Sequence, residues 1–382
     1  MNKIIYADHS ATTYVKKEVL DEMLPYFTDK FGNGSSVYSL GVESKKAICN
    51  AREKVANALN CNEKEIYFTA SGSESDNLAL LGIARANSIK GKHIITSKIE
   101  HLAILETCKR LEKEGFEVTY LDVNSKGLIE IENLKKYIRK DTILISIMFA
   151  NNEIGTLEPI EEIGKLAKEN NIIFHTDAVQ AIGNIHIDVK SMNIDALSLS
   201  GHKFYGPKGV GALYIKEDIS FLPIIYGGHQ EKSKRAGTEN LAGIVGLGKA
   251  IELANDNIDK YNLKLFTLRE YALKRIINEI PGVKLNGDRD KRLPGNLNIS
   301  IFGIDGLSLL LMLDMEGIYI SIGSACTSSS VNPSHVLTAI GLNESQAKSS
   351  LRFTFGDENT KEDIDYIIYK LKTLVFNLRN KI

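Results

Sequence analysis

The sequence predicts an α/β protein: a large domain with a mostly parallel sheet sandwiched by helices, and a smaller α+β domain toward the C-terminus. Three observations predict it. Short apolar, β-branched runs alternate with helix-like segments through the first half of the chain. Those runs are apolar throughout rather than alternating, as strands covered on both faces should be. The pattern changes after about Gly237, and 382 residues exceed what one ordinary core holds. Residues 15–250 are therefore expected to form the large domain, and residues 1–14 with 251–382 the small one.

The elements follow in order. Glu65–Thr69 reads as a strand and Glu74–Asn87 as a helix; His93–Ser97 reads as a strand and His101–Glu114 as a helix. Phe116–Leu121 and Thr142–Ala150 are strand-like runs. Glu158–Asn170 reads as a helix, Asn171–Thr176 as a strand, and Ala196–Ser200 and Val210–Ile215 as two more strands. A long helical stretch then runs to about Ile280 and stops at Pro281-Gly282. Asn296–Ile301 reads as a strand, Gly306–Leu313 as a helix, Ser321–Ser330 as a Ser-rich loop and Lys361–Leu378 as a final helix. No internal repeat is visible.

Composition narrows the function classes. The net charge of −1 calls for neither nucleic acid nor an anionic membrane. No apolar run reaches the roughly 20 residues of a membrane span, and the first residues have no secretory pattern. Cys49, Cys61, Cys108 and Cys326 form no CxxC pair and no cluster with zinc spacing, so no metal site is expected. Free thiols and a cytoplasmic location are the expectation. Cys49 and Cys108 read as small core residues, and Cys61 lies in a turn.

Six segments carry residue types suited to chemistry. Thr69-Ala70-Ser71-Gly72-Ser73-Glu74-Ser75 passes from strand through a Gly turn into a helix, where backbone N–H groups bind phosphate, although Ser there also reads as a plain N-cap. Lys203 lies in a Gly/Pro-rich turn between two apolar strands, flanked by Ser200 and His202. That setting suits a lysine that joins a carbonyl cofactor, and equally a solvated turn. Asp177 ends a strand, with Gln180 three residues on. A carboxylate there suits a protonated ring nitrogen, or an N-cap. His101 opens a helix after a strand, where an imidazole can lie over a flat cofactor or simply cap. Cys326 stands in Ser321-Ile322-Gly323-Ser324-Ala325-Cys326-Thr327-Ser328, a small polar stretch from which a thiol can carry cargo. Arg352 lies inside an apolar strand-like run and reads as a carboxylate clamp or an interdomain ion pair.

Taken together in this order, the segments resemble the cysteine desulfurases of the NifS/IscS kind, within the class-V aminotransferases of fold-type I. The resemblance rests on Asp8-His9-Ser10-Ala11-Thr12-Thr13, Ser71-Gly72-Ser73-Glu74-Ser75-Asp76-Asn77, Thr96–His101, Asn151-Asn152-Glu153-Ile154-Gly155, Ser200-Gly201-His202-Lys203, Arg235–Asn240 and Gly323–Ser328. It implies a pyridoxal 5'-phosphate enzyme that takes sulfur from L-cysteine, leaves alanine and carries a persulfide. By position, Lys203 resembles the lysine that binds the cofactor aldehyde. Gly72, Ser73, Ser200 and His202 resemble the phosphate cup. Asp177 resembles the partner of the pyridine nitrogen, and His101 the stacking proton carrier. Gln180 and Asn152 fall where the family contacts the ring hydroxyl and the substrate. Asn33 and Arg352 match the substrate-carboxylate clamp, and Cys326 the persulfide cysteine of the long-loop subgroup.

Thr238 matches a residue lent to the neighbouring subunit's phosphate, which implies a homodimer. A sulfur-acceptor protein, such as an iron–sulfur scaffold or a tRNA-thiolation enzyme, is the implied partner. The chain departs from the family at Asn33-Gly34-Ser35-Ser36-Val37-Tyr38, where Pro and His are missing, and at Ile322, where Ser is frequent. It stops soon after the last helix, which leans toward the nitrogen-fixation-like branch or a member with a dedicated acceptor. A selenocysteine lyase, an aminotransferase and a non-catalytic protein that kept the fold are the alternatives.

Overall fold

A computed structural model describes residues 4–322 and 333–380. The chain begins with β1 (Ile5–Tyr6), α1 (Lys17–Met23), α2 (Pro25–Thr28) and α3 (Ser39–Leu59). Next come β2 (Ile66–Thr69), α4 (Gly72–Asn87), β3 (His93–Ser97), α5 (Leu102–Lys113), β4 (Glu117–Leu121) and α6 (Ile131–Tyr137). Then follow β5 (Thr142–Ser146), α7 (Ile160–Glu169), β6 (Ile173–Asp177), β7 (Ala196–Ser200) and β8 (Gly211–Ile215). After helices Leu241–Asp256 and Ile258–Glu279 come β9 (Val283–Leu285) and β10 (Asn296–Ile301). Helix Gly306–Met315, β11 (Ile318–Tyr319), β12 (Ser350–Thr354) and helix Lys361–Arg379 complete the main elements.

Seven strands form one sheet in the order β2-β8-β7-β6-β5-β3-β4, and β8 alone runs antiparallel to both its neighbours. Strands β3, β5, β7 and β8 are buried at every position, as strands covered on both faces are. The mostly parallel α/β expectation is met. A second, antiparallel sheet pairs β12, β10 and β9, and β1 lies parallel to β11, so the N-terminus joins the C-terminal unit. One hydrophobic core surrounds Ile145, Phe174, Leu197 and Leu247; another surrounds Ile5, Leu297, Phe353 and Ile368.

Some differences from the sequence reading have plain physical causes. The long helical stretch before Ile280 is two helices, broken at Asn257. Cys49 is exposed on α3 rather than a core residue, whereas Cys108 is buried as expected. Its helix turns Ile48, Ala51, Val55 and Leu59 inward at helical spacing and leaves position 49 outside. Gly248 lets that helix pack close, since a Cβ there would lie 2.7 Å from the Ala51 Cα. Glu231, Lys232 and Ser233 have φ of 44°, 56° and 63°. Such left-handed residues cost about 1–2 kcal/mol each. Arg52 offsets this by holding both Glu231 carboxylate oxygens at 2.7 Å.

Among the described residues, no helix is long and apolar enough to cross a membrane.

Candidate active site

The strand order reverses direction between β3 and β5, and the loops after the carboxyl ends of β2, β3, β5, β6 and β7 meet there. A crevice at such a point is where open α/β sheets bind ligands. It holds a cavity of about 860 Å³ open to solvent. Gly72, Ser73, His101, Asn152, Asp177, Gln180, Ser200, His202, Lys203 and Arg352 all line it. These positions span nearly 300 residues of sequence, and the sheet brings them to one place.

The loop after β2 enters α4 at Ser71, whose hydroxyl accepts from the Glu74 N–H at 3.1 Å. The N-cap reading of this segment is therefore realised by Ser71. Gly72 and Ser73 occupy the first turn, where N–H groups lack helical partners, and both residues line the cavity. A Cβ on Gly72 would meet the Val179 Cγ2 at 2.7 Å, so the segment after β6 packs directly on this turn. His202 stands opposite, its Nδ1 3.0 Å from the Thr12 hydroxyl. Burial and the Lys203 ammonium bring its pKa down to about 4. Neutral at pH 7, His202 offers a hydrogen bond rather than a charge.

Lys203 follows the end of β7 in a single helical turn. Its Nζ donates to the carbonyls of Ser10 at 2.5 Å and Ala11 at 2.8 Å. The segment 10–13 thus braces the lysine from the N-terminus, and Gln180 Nε2 donates to the same Ser10 carbonyl at 3.0 Å.

Asp177 ends β6, and its Oδ1 accepts from the Val179 N–H at 2.9 Å. Burial raises its pKa, while His101 and Lys203 pull it back. His101 caps α5, its Nδ1 accepting from the Ala103 N–H at 3.1 Å. Capping fixes the tautomer: neutral His101 carries its proton on Nε2. Burial, with help from Lys203, lowers its pKa.

Arg352 is 1 % exposed in β12. Its Nη2 donates to Asp8 Oδ1 at 2.7 Å and its Nη1 to the Asn152 carbonyl at 2.9 Å. Nε has no partner among the described residues. The guanidinium is both an interdomain ion pair and a donor lining the cavity.

Two other expected site residues, Asn33 and Thr238, stand apart from this cavity. Asn33 is exposed, and its Oδ1 accepts from the Ser35 N–H at 2.9 Å, forming a local turn. Thr238 is exposed on the surface segment that follows Arg235, which is tied to Glu74 of α4 at 2.9 Å. Cys326 lies outside the described residues. Both flanks of its segment are anchored beside the cavity, however. Ser321 and Arg352 exchange backbone hydrogen bonds of 3.1 and 2.6 Å. Ser334 Oγ donates to Glu153 Oε2 at 2.5 Å, and His335 Nε2 donates to the Glu100 carbonyl at 2.9 Å.

The donor set fits pyridoxal phosphate. A helix N-terminus with hydroxyls suits the phosphate. A buried carboxylate at a strand end suits a protonated ring nitrogen, whose charge would favour the ionised form of Asp177. An amine suits the aldehyde. Two residues here carried no role in the sequence reading. Asp8 orients Arg352, and Asp76 of α4 lines the cavity. Spacing held a signal for the latter: Asp76 follows Gly72 by four residues and Ser73 by three, so it shares their face of the helix.

Comparison with known proteins agrees. The model of the family described as Aminotransferase class-V matches residues 5–367. A protein of Clostridium botulinum (strain Hall) named cysteine desulfurase IscS is 60% identical over 377 residues, 98% of this chain and 95% of its own length. A protein of the same name from Methanosarcina thermophila is 56% identical over 99% of this chain and 94% of its own. Among solved structures, a NifS-like protein superimposes with a TM-score of 0.93 at 37% identity, covering 98% of this chain and all of that one. The structure titled SspA in complex with cysteine matches with a TM-score of 0.81 at 41% identity, covering 92% and 98%.

Proposed function

The chain belongs to the class-V aminotransferase family and is a pyridoxal-phosphate cysteine desulfurase; we propose the following division of labour among its residues. The observation that carries it is the convergence of Lys203, Asp177, His101 and Arg352 with the α4 N-terminus on one cavity. Bound there, pyridoxal phosphate supplies an aldehyde carbon that takes amines and a ring that accepts an electron pair.

Gly72, Ser73, Ser200 and His202 hold the phosphate. Asp177 keeps a proton on the ring nitrogen, and Gln180 meets the ring hydroxyl. Lys203 would hold the aldehyde, and its amine, once free, would take the substrate's α-proton. His101 lines the same cavity and would move protons through Nε2. Arg352 holds the substrate carboxylate beside Asn152. The Cys326 thiolate attacks the substrate sulfur. An S–S bond forms as the C–S bond breaks, and the electron pair of that bond stays on the substrate carbon. That carbon takes protons and leaves as alanine, while the persulfide on Cys326 goes to an acceptor protein for iron–sulfur assembly or tRNA thiolation.

The enzyme works as a homodimer in which Thr238 completes the neighbouring phosphate site. Its exposure supports this, as does a run of exposed apolar side chains at Leu20, Leu24, Phe27, Phe31, Val37 and Tyr38, with Val37 95 % exposed. Soluble monomers seldom leave large apolar patches exposed.

The test is Cys326→Ser. The variant should keep the visible absorbance of the bound cofactor and its response to L-cysteine, yet release almost no sulfide and gain no sulfur by mass spectrometry. Alanine and sulfide formation at the parent rate contradicts the assignment.

A further inference from the structure

Asp76 is 1 % exposed on α4, and its Oδ1 has no hydrogen-bond partner among the described residues. Its carboxyl, the Asp177 carboxyl and a His101 ring nitrogen lie within 4.8 Å of one another. Behind it a polar column crosses the sheet. The Ser198 hydroxyl lies against the Asp76 carboxyl. Ser198 also pairs with His175 Nε2 at 3.0 Å, and His175 Nδ1 pairs with the Ser146 hydroxyl at 2.9 Å. His175 Nε2 stands 3.9 Å from Asp76 Oδ1.

The titratable groups around Asp76 decide its charge. Asp177 and His101 lie beside it, His175 faces it from within the sheet and Glu100 from the loop before α5; Lys203 faces Asp177 from the turn after β7. Burial pushes His175 down to about 3, so it brings no positive charge. Burial and the Asp177 carboxylate hold Asp76 well above the usual carboxylate range. Two buried carboxylates this close repel each other too strongly for both to stay ionised. The one that meets a protonated ring must carry the charge, which leaves the proton to the other.

We propose that Asp76 is a positioning residue: a neutral carboxylic acid whose O–H points to Asp177 and keeps that carboxylate ionised toward the cofactor's ring nitrogen. The inference rests on the reading of Asp177 given above. Without the donor Asp177 becomes more basic and draws the proton off the ring. An amide in place of the acid still donates, so the isosteric change and the truncation have different consequences.

The first readout is infrared difference spectroscopy of the cofactor-loaded parent against cofactor-loaded Asp76→Asn at neutral pH. The parent should show a protonated-carboxyl band that the variant lacks; no such difference means that Asp76 is ionised and overturns the proposal. The second uses holoenzyme carrying cofactor labelled with nitrogen-15 in the ring. Asp76→Ala should move the ring-nitrogen resonance toward the unprotonated position, and Asp76→Asn should restore it. An Asp76→Asn resonance displaced as far as that of Asp76→Ala also overturns the proposal. If Asp76→Ala does not fold, the infrared band and the Asp76→Asn resonance still decide. Asp177→Asn is the control for the underlying reading: if it leaves the ring-nitrogen resonance unmoved, the Asp177 assignment fails whatever the infrared shows.

Discussion

Arg352→Lys separates the two jobs of one guanidinium. Arg352 spends one Nη2 proton on Asp8 and one Nη1 proton on the Asn152 carbonyl, which leaves three N–H groups, Nε–H among them, for a substrate carboxylate. A lysine ammonium keeps a positive charge beside Asp8 but has no planar fork. The loss is one charge-assisted hydrogen bond to substrate, about 1.5–3 kcal/mol. That corresponds to a roughly 10- to 150-fold fall in kcat/KM for L-cysteine. Because the carboxylate is held in the ground state as well as the transition state, KM should carry most of it. Alanine release across a range of cysteine concentrations reads both constants, and the Tm of the cofactor-free protein checks the Asp8 pair. Arg352→Ala should add about 3–5 kcal/mol of destabilisation, since it leaves Asp8 without its partner. A KM unchanged in Arg352→Lys refutes the clamp and leaves only the ion pair.

Two further changes probe the scaffold. Burial raises Glu100 from 4.5 to about 8, so folding takes up a proton between those values and stability falls as pH rises through them. Glu100→Gln removes that linkage; in denaturant unfolding of the cofactor-free protein it should gain on the parent by about 1.4 kcal/mol per pH unit across the window. A difference that stays flat with pH would show Glu100 ionised. The double change Phe27→Asp with Phe31→Asp should give a monomer by sedimentation and weaken cofactor retention, because Thr238 then reaches no neighbour; a variant that stays dimeric places the interface elsewhere.

Much of the architecture was legible because β3, β5 and β7 are buried at every position and carry Ile- or Leu-rich runs, and helices such as α5 and α7 turn one apolar face inward. Strands β3, β6 and β7 are where their residues predicted. The long α3 was not read, because its inward face mixes Gly41, Ser44 and Ala51 with Ile48 and Val55, and small residues weaken an apolar stripe. The break at Asn257 escaped for a similar reason: a single Asn between two helical patterns carries neither Gly nor Pro.

The candidate site was legible only as an ordered set of motifs. Alone, Ser71, Asp177 and His101 each matched a capping residue, and the structure shows that Ser71 and His101 do cap. Capping and function coincide because strand ends and helix starts are where the cavity forms. Asp76 and Asp8 went unassigned because an acid in a helix or a turn is ordinary until its burial and partners are known.

Reduction of the cofactor-loaded enzyme with borohydride, followed by peptide mass mapping, tests the central assignment most directly. The cofactor's mass should appear on the peptide that holds Lys203, and preincubation with L-cysteine should diminish it. A label on another lysine, or no label on an enzyme that still desulfurates cysteine, would contradict the account.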